Sequence, residues 1–492
     1  MLLTCGAALL LSVVIVRISL LTPSTPLDNC NVAPAVLTME WSPNAFVKAA
    51  NTGVPVIFRH VPPLFQASNW TWQQLQDVAG HLHMEVETSN KPHFFYYDHG
   101  VPALLDHRAW SSREIFDTME KTTRKPETMS LKTFITNIHK PIVVNSRTNK
   151  VEEETKYHYL TRTIHTPASL EKEKEKVTNE AAIDMLFGSF MMEYFQPSPL
   201  TSSFPQVLSN DSNGTALSLW FGGPRGTTTQ SHYDQPHNMF VQLLGSKIFT
   251  VLPPCAIDAV YLYPDLHQRA RKVQVPLDDI TNVEQQTIGM KFPLFKRHIR
   301  NAARMTTVVV GPGDILYLPP FWIHGVRVEG DSEGIGAAAS ANFFINSHVS
   351  RLKDQLFQAP LPFNNEWVKS STAATVTYMW LSSLMKSLSL SLRSITERLV
   401  HVRYAHIRLQ SEYRYQWDSV GRRCVRDDNE RDVGIQIEEM NMQHHVQRFI
   451  VTARQIEAAV LWQIMQSYVE LVVYSMMGLE EIKAFIIQCI LI

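Results

Sequence analysis

Three residues near the middle of the chain could together hold a metal ion: His232, Asp234 and His324. Residues i and i+2 of a β-strand project from one face, so a strand through His232 and Asp234 would direct both side chains to the same side. That pair alone is a weak signal, because the spacing also occurs in surface turns. The setting of His324 strengthens the prediction, since a Gly311-Pro312-Gly313-Asp314 turn and a short apolar run precede it.

Two neutral imidazoles and one carboxylate on one side of a metal leave its other positions open, which is the arrangement of non-haem Fe(II) oxygenases. A chelating 2-oxo acid can take two of the open positions and dioxygen the third. The predicted chemistry is therefore oxidation at an iron centre.

The elements around these residues divide the chain into zones of different texture. Residues 36–215 mix strand-like runs with amphipathic helical stretches such as Trp72 to His81, which predicts an α/β part. Residues 216–350 contain short apolar, β-branched or aromatic runs separated by Gly and Pro, typical of a β-sandwich or barrel. Residues 363–492 have a helical period, with long apolar stretches from Ala373 to Arg403 and from Val446 to Leu491.

Two segments carry a family resemblance: HYDQPHNMFVQLLGSKIFTVLPP from His232 to Pro254, and GPGDILYLPPFWIH from Gly311 to His324. In combination they resemble the JmjC dioxygenases that use Fe(II) and 2-oxoglutarate, especially the small JmjC protein hydroxylases that include the asparaginyl hydroxylase of hypoxia-inducible factor. The similarity covers about residues 217–345. It implies a mainly β fold with α elements, in which a double-stranded β-helix (jelly-roll or cupin) core lies between the α/β part and the C-terminal helices.

The resemblance also implies roles for individual residues. His232, Asp234 and His324 match the iron ligands, and Lys247 stands where the family places the lysine that pairs with the distal carboxylate of 2-oxoglutarate. Thr229 and Asn238 match positions that contact the co-substrate or line its pocket, and Asn342 matches an asparagine behind the metal. The alternatives are a surface lysine at 247 and asparagines that satisfy strand ends at 238 and 342.

Other polar residues near these motifs receive structural interpretations. His237 would lie on the opposite face from His232 in a regular strand, so it is predicted not to bind the metal. Asp314 is expected to bond the backbone of its own turn. The basic stretch Arg269, Arg271 and Lys272 is favoured to be a solvated loop, with substrate contact as the alternative.

The resemblance implies hydroxylation of a protein or peptide side chain, with release of succinate and CO2. The rival hypotheses are a non-catalytic jumonji-like protein that binds a partner through the barrel and the helical tail, and a cupin with another metal-dependent activity. Lysine and arginine total 45 against 46 acidic residues, so no net charge indicates nucleic acid or an anionic membrane as partner.

The first 22 residues are largely apolar and end in a turn-rich stretch, which predicts a signal peptide or a signal anchor. The expected location is the endoplasmic reticulum lumen or membrane, and a cytoplasmic protein with a buried N-terminal element is the alternative. The five cysteines are scattered and form no C-x-x-C pair, so neither a zinc knuckle nor a dense disulfide framework is indicated. The polar residues Gln463, Gln466 and Glu470 favour an intramolecular or homodimer-interface helix over a membrane span.

Overall fold

The computed structural model describes the main elements of the chain. The described residues are 36–41, 53–61, 71–94, 125–140, 155–164, 216–267, 269–277, 284–298, 305–330, 336–359, 373–407, 444–478 and 481–491, with shorter pieces at 26–27, 30, 49–50, 144–145, 150–151 and 361. Contacts divide the chain into two units. The β unit contains Val32–Pro254 and Val260–Asp354, and the helical unit contains Met1–Asn31, Cys255–Ala259 and Gln355–Ile492.

Sixteen strands occur within the described part of the β unit. They are β1 (Leu37–Met39), β2 (Val56–Phe58), β3 (His83–Ser89), β4 (His93–Phe94), β5 (Lys125–Ser130), β6 (Val144–Asn145), β7 (Lys150–Val151), β8 (Tyr157–Ile164), β9 (Ala216–Gly223), β10 (Thr228–Tyr233), β11 (His237–Leu244), β12 (Ser246–Leu252), β13 (Thr306–Val310), β14 (Ile315–Leu318), β15 (Ile323–Gly330) and β16 (Ala338–Ile345).

The strands form a large and a small sheet, which are the two walls of the predicted β-helix. The large sheet has the order β1-β2-β14-β11-β16-β9-β8-β3-β5, and the small sheet has the order β13-β12-β15-β10-β4. Strands β6 and β7 pair separately. The large sheet is antiparallel except where β1 joins β2. This arrangement confirms the mainly β fold class with added helices.

Strand β11 shows how the sequence builds the large sheet. Met239, Val241 and Leu243 contribute to a core that also contains residues of two helices, α1 (Trp72–Ala79) and α2 (Leu131–Ile138). Phe240 between them joins a second core, with Phe249 and Val251 of β12. Because successive side chains point to opposite faces, the apolar residues of β11 are buried on both sides of the sheet.

Further helices in the described chain complete the β unit and build the helical unit. They are α3 (Glu284–Lys291), α4 (Pro293–His298), α5 (His348–Gln358), α6 (Ala373–Ser387), α7 (Leu392–Arg398), α8 (His444–Ala453), α9 (Ala458–Met477) and α10 (Glu481–Phe485), with a 3-10 helix at Pro254–Val260 and π-helical turns at Leu399–Arg403 and Ile486–Leu491.

The predicted continuous helical stretch from Ala373 to Arg403 is interrupted. Helix α6 ends at Ser387, Ser389 adopts a positive φ of 57°, and α7 begins after Ser391. The Ser391 hydroxyl accepts a hydrogen bond from the backbone N–H of Ser394, which is the standard way to begin a helix. Apolar periodicity continues across this break, so it did not reveal the interruption.

Helix α9 is the central element of the helical unit, and its polar residues are buried inside that unit. The Arg403 guanidinium donates to the Gln463 side chain at 2.7 Å, and the Tyr404 hydroxyl donates to Glu470 at 2.7 Å. The Gln466 amide donates to Asp258 at 3.1 Å. These contacts confirm intramolecular packing of α9, while the homodimer stays a prediction.

None of the helices in the described ranges is long and apolar enough to cross a membrane. The predicted signal segment, residues 1–22, lies outside those ranges.

The helical unit contains a disulfide that the cysteine spacing did not indicate. Cys30 and Cys255 are bonded, with Cα atoms 5.5 Å apart and a sequence separation of 225 residues. Cys489 is disulfide-bonded as well. Two of the scattered cysteines, Cys30 and Cys255, therefore form a long-range cross-link.

Candidate metal and co-substrate site

The three predicted metal-binding residues lie close together where strands β10 and β15 of the small sheet pair. His232 on β10 pairs directly with His324 on β15 in antiparallel register, and their ring centroids are 4.5 Å apart. Asp234 lies just beyond the end of β10, with Oδ1 3.9 Å from Nε2 of His232 and Oδ2 3.5 Å from Nε2 of His324. One potential ligand atom from each residue lies within 4.8 Å of the others.

The segment around Phe321 fixes the approach of these two strands. Its backbone N–H donates to the carbonyl of Asp234 at 2.7 Å, and its ring stacks on Tyr233 at 5.3 Å. Phe321 has a positive φ of 65°, which a non-glycine residue adopts only when its surroundings impose it. The turn that follows Pro319-Pro320 therefore holds β15 in register with β10.

Backbone carbonyls set the tautomers of both histidines. Nδ1 of His232 lies 2.9 Å from the carbonyl of Gln230, and Nδ1 of His324 lies 3.1 Å from the carbonyl of Trp322. A carbonyl can only accept, so Nδ1 carries the hydrogen in each ring and Nε2 keeps its lone pair. Such a bond to the distal nitrogen orients a metal-binding histidine.

The environment of His232 and Asp234 favours the protonation states in which these groups bind a metal. Burial, together with the neighbouring His324 and Lys272, lowers the pKa of His232 to about 3. Burial alone would raise the pKa of Asp234, but the two histidines, Arg271 and a hydrogen bond from Asn238 outweigh it and lower that pKa. A neutral imidazole and an ionised carboxylate are the ligand forms of these groups.

Asn238 and Asn342 form a hydrogen-bonded chain behind Asp234. The Trp220 indole N–H donates to Oδ1 of Asn342 at 2.7 Å, and Nδ2 of Asn342 donates to Oδ1 of Asn238 at 3.2 Å. Nδ2 of Asn238 then donates to Oδ2 of Asp234 at 3.0 Å. The two asparagines thus form the hydrogen-bonded chain that orients the carboxylate, and both line the pocket.

A cavity of about 260 Å3 opens beside the triad. Its wall contains all seven predicted site residues: Thr229, His232, Asp234, Asn238, Lys247, His324 and Asn342. Thr229 is buried and has its hydroxyl 3.4 Å from the carbonyl of Val326.

Lys247 is a buried cation in this wall, with 1% of its surface exposed. Its ammonium donates to the carbonyl of Trp220 at 2.9 Å and to Oγ of Ser340 at 2.7 Å. Two of three ammonium hydrogens are thereby used, and within the described part of the chain one is left for a ligand. Burial lowers the pKa of Lys247 to about 7, so an anion that restores its charge would bind favourably. A surface lysine is excluded.

The turn between β11 and β12 brings Lys247 to this position. Gly245 has a positive φ of 59°, and a Cβ atom there would collide with the carbonyl oxygen of Ala337. Only glycine satisfies both conditions. The turn lets β12 return along β15 with Lys247 on the face that carries Phe249 and Val251.

Two structural interpretations are confirmed. Nδ1 of His237 lies 2.8 Å from the hydroxyl of Tyr317, and His237 is not in the metal-ligand group. Asp314 accepts from the backbone N–H of Gly311 at 3.0 Å and from Arg59 at 2.6 Å. Asp314 therefore ties the turn to its neighbours.

The solvated-loop interpretation of the basic stretch is wrong for two of its three residues. Arg271 and Lys272 line the cavity, and Lys272 is 5% exposed. The reason is a long-range backbone bridge between Lys272 and His232, which the local composition does not encode. Trp220 and Ser340 were also missed; a polar Ser340 two residues from Asn342 on one strand was the available signal.

The donor set fits a divalent metal, because two inward-facing imidazole nitrogens and an oriented carboxylate meet at one point beside a cavity. The cavity fits a dicarboxylate, because a buried ammonium with a remaining donor lies in the same wall. His232, Asp234 and His324 would hold iron, and Lys247 would hold the far carboxylate of 2-oxoglutarate.

Comparison with known proteins identifies the class that this fold and site define. A family model for the cupin-like domain matches residues 43–350, more than half of the chain. The chain therefore belongs to the cupin-like JmjC family.

Several curated relatives match part of the chain. JmjC domain-containing protein D of Dictyostelium discoideum is 30% identical over 119 residues, 24% of each protein. Lysine-specific demethylase JMJ30 of Arabidopsis thaliana is 32% identical over 113 residues, 23% of each. The tRNA wybutosine-synthesizing protein 5 of Homo sapiens is 24% identical over 197 residues, 40% of this chain and 48% of that protein. The chain thus matches less than half the length of these relatives.

Proposed function

We propose that this protein is an Fe(II)- and 2-oxoglutarate-dependent dioxygenase that hydroxylates a side chain of a protein or peptide. The observation that carries the proposal is the presence of the His232, Asp234 and His324 triad and the buried Lys247 in one cavity wall. A protein that only binds a partner would need neither a metal-ligand set nor a buried cation facing it.

Iron and 2-oxoglutarate, when bound, would supply the oxidising chemistry and release succinate and CO2. The residues of the chain prepare the site for them. Nδ1 hydrogen bonds orient the histidines, the Trp220, Asn342 and Asn238 chain orients Asp234, and Lys247 selects a dicarboxylate over a monocarboxylate by a charge-assisted contact.

A protein or peptide substrate is favoured by the neutral composition of the chain. With 45 basic and 46 acidic residues, the protein offers no global positive charge for the phosphate backbone of a tRNA. Demethylation of lysine, named in two relatives, begins with the same oxidation of a C–H bond, but the hydroxylated N-methyl group then leaves as formaldehyde.

The test is formation of succinate from 2-oxoglutarate by the full chain with Fe(II). We expect turnover in the wild type and none above background in His232→Ala. His237→Ala is the matched control, because His237 is a nearby half-buried histidine whose Nδ1 lies 2.8 Å from the Tyr317 hydroxyl. Absence of iron-dependent succinate formation by the wild type would disprove the proposed dioxygenase activity.

We further propose that the protein acts in the secretory pathway, in the endoplasmic reticulum lumen or at its membrane. The Cys30–Cys255 disulfide supports this location, because disulfides persist in oxidising compartments. A protease-protection assay on intact microsomes, combined with thiol labelling before and after reduction, tests it. Degradation in intact vesicles, or Cys255 labelled without reduction, would favour the cytoplasmic alternative.

A further inference from the structure

The segment around Arg271 and Lys272 extends the small sheet at the outer edge of β10. Lys272 forms a bridge with His232. The backbone N–H of Tyr233 donates to the carbonyl of Arg271 at 3.2 Å, and that of Val273 donates to the carbonyl of Ser231 at 3.0 Å. A short extra strand therefore lies against the strand that carries the first metal-binding histidine.

The register places Lys272 on the same face as the triad. Val251 pairs with His324, His324 pairs with His232, and His232 pairs with Lys272. Directly paired residues project to the same side of a sheet. Lys272 therefore faces the cavity from one strand beyond His232, and it lines that cavity.

The two lysines of the cavity lie on opposite sides of the metal ligands. Lys247 is four residues from Val251 on β12, a distance of roughly 13 Å along the strand. Lys272 is at the level of the histidines, on the far side of His232 from β15. A co-substrate that reaches from Lys247 to the metal would leave the Lys272 side for the substrate.

Positive charge predominates in the cavity wall. Among the described lining residues, Lys247, Arg271 and Lys272 are cationic and Asp234 is the one carboxylate. A bound Fe(II) and a 2-oxoglutarate dianion add no net charge, so the loaded site keeps its positive excess. Arg271 and Lys272 also make other contacts, and the inference requires only that they present positive potential to the cavity.

We propose that the side chain that enters this site carries a carboxylate, so that the substrate is a peptide with an aspartate or glutamate at the hydroxylated position. This inference rests on the proposed function. An anion beside Arg271 and Lys272 gains from the positive potential of the cavity wall, and a lysine side chain would meet like charges. A neutral amide of the same shape gains only ordinary hydrogen bonds.

The test uses the full chain with Fe(II) and 2-oxoglutarate and five peptide pools with randomised flanks. The central residue is fixed as Asp, Asn, Glu, Gln or Lys, and a sixth pool carries phosphoserine. Mass spectrometry measures the gain of one oxygen atom, and succinate is measured in parallel. We expect an acidic pool to exceed its amide counterpart by roughly tenfold, and the lysine pool to be the poorest.

A pair of variants links the preference to Lys272. The readout is the ratio of acidic to amide turnover within each variant, which cancels any general loss of activity. Lys272→Gln should bring this ratio close to one. Arg269→Gln should keep the wild-type ratio, because Arg269 belongs to the same basic stretch but contacts Tyr263 and is not a lining residue.

The outcomes separate this inference from the proposed function. If 2-oxoglutarate is not consumed, the proposed function fails. Three results with consumption of 2-oxoglutarate would overturn the carboxylate assignment and leave the dioxygenase standing. They are no hydroxylation of either acidic pool, a preference for the amide or lysine pools, and higher turnover of the phosphoserine pool than of both acidic pools. An unchanged ratio in Lys272→Gln also overturns the assignment.

Discussion

The β unit and the helical unit both bury polar side chains, but they use them in different ways. In the β unit, His232 and His324 each satisfy one ring nitrogen with a backbone carbonyl and direct the other toward a cavity. In the helical unit, the Arg403 guanidinium and the Tyr404 hydroxyl bond to side chains of α9. A polar group that retains binding capacity indicates a site, whereas one saturated by its neighbours indicates a specific core.

Two of the buried carboxylates, Asp234 and Glu470, provide the strongest contrast. Asp234→Ala removes one of three metal ligands, so we expect Fe(II) affinity to fall by more than about a hundredfold and succinate formation to disappear. The unfolding free energy of the metal-free protein should fall by about 1 kcal/mol, because Asn238 loses the acceptor that Asp234 provides. Metal titration and calorimetry measure the two effects, and retained iron binding would contradict the triad.

Glu470→Ala should have the opposite profile. Removing the acceptor leaves the buried Tyr404 hydroxyl without this partner and creates a cavity in α9, which costs about 3 kcal/mol of unfolding free energy. Iron affinity should stay within about twofold of wild type. Urea unfolding monitored by circular dichroism tests the first expectation. A selective loss of metal binding would show that the helical unit contributes to the site.

Asn238→Ala tests the hydrogen-bonded chain behind Asp234. The variant keeps all three ligands but removes the bond that orients the carboxylate, so metal affinity should fall by about tenfold. Gln242→Ala is a useful comparison, because Gln242 is a buried amide on the same strand that bonds backbone carbonyls near Gly245. If both variants lose metal affinity equally, the effect comes from general loosening of β11.

The pH dependence of 2-oxoglutarate binding is the smallest predicted effect. Burial lowers the pKa of Lys247 to about 7, whereas the bound anion requires the charged form. Above that pH the free protein loses the proton, so affinity should fall by up to about tenfold per pH unit. Lys247→Arg keeps its charge and should give a flat profile over the same range. An equally flat wild-type profile would contradict the role of Lys247.

The fold class and the grouping of His232, Asp234 and His324 could be predicted, because the motifs that carry them are local. The strands Thr306–Val310 and Ile315–Leu318 lie in the zone where short apolar and β-branched runs between turns predicted β-structure. The sequence predicted Asp234 on the same strand as His232, whereas Asp234 lies one residue beyond the end of β10. The pairing of β10 with β15 also has a register irregularity between Thr229 and His232.

Features that depend on contacts between residues far apart in the chain could not be predicted from the sequence. Lys272 looks like a solvated residue until the bridge to His232 turns it inward. Cys30 and Cys255 have no motif that pairs them, because 225 residues separate them. In each case the deciding contact is a register or a proximity that only the folded chain supplies.

The discontinuous composition of the helical unit has a consequence for synthesis on the ribosome. Cys255–Ala259 belongs to that unit by its contacts, yet it is translated before β13 and long before α9. During elongation, Asp258 is therefore present without the Gln466 amide that bonds it in the finished protein. Cys30 and Cys255 are both available by then, so oxidation can join two parts of the nascent helical unit before its central helix exists.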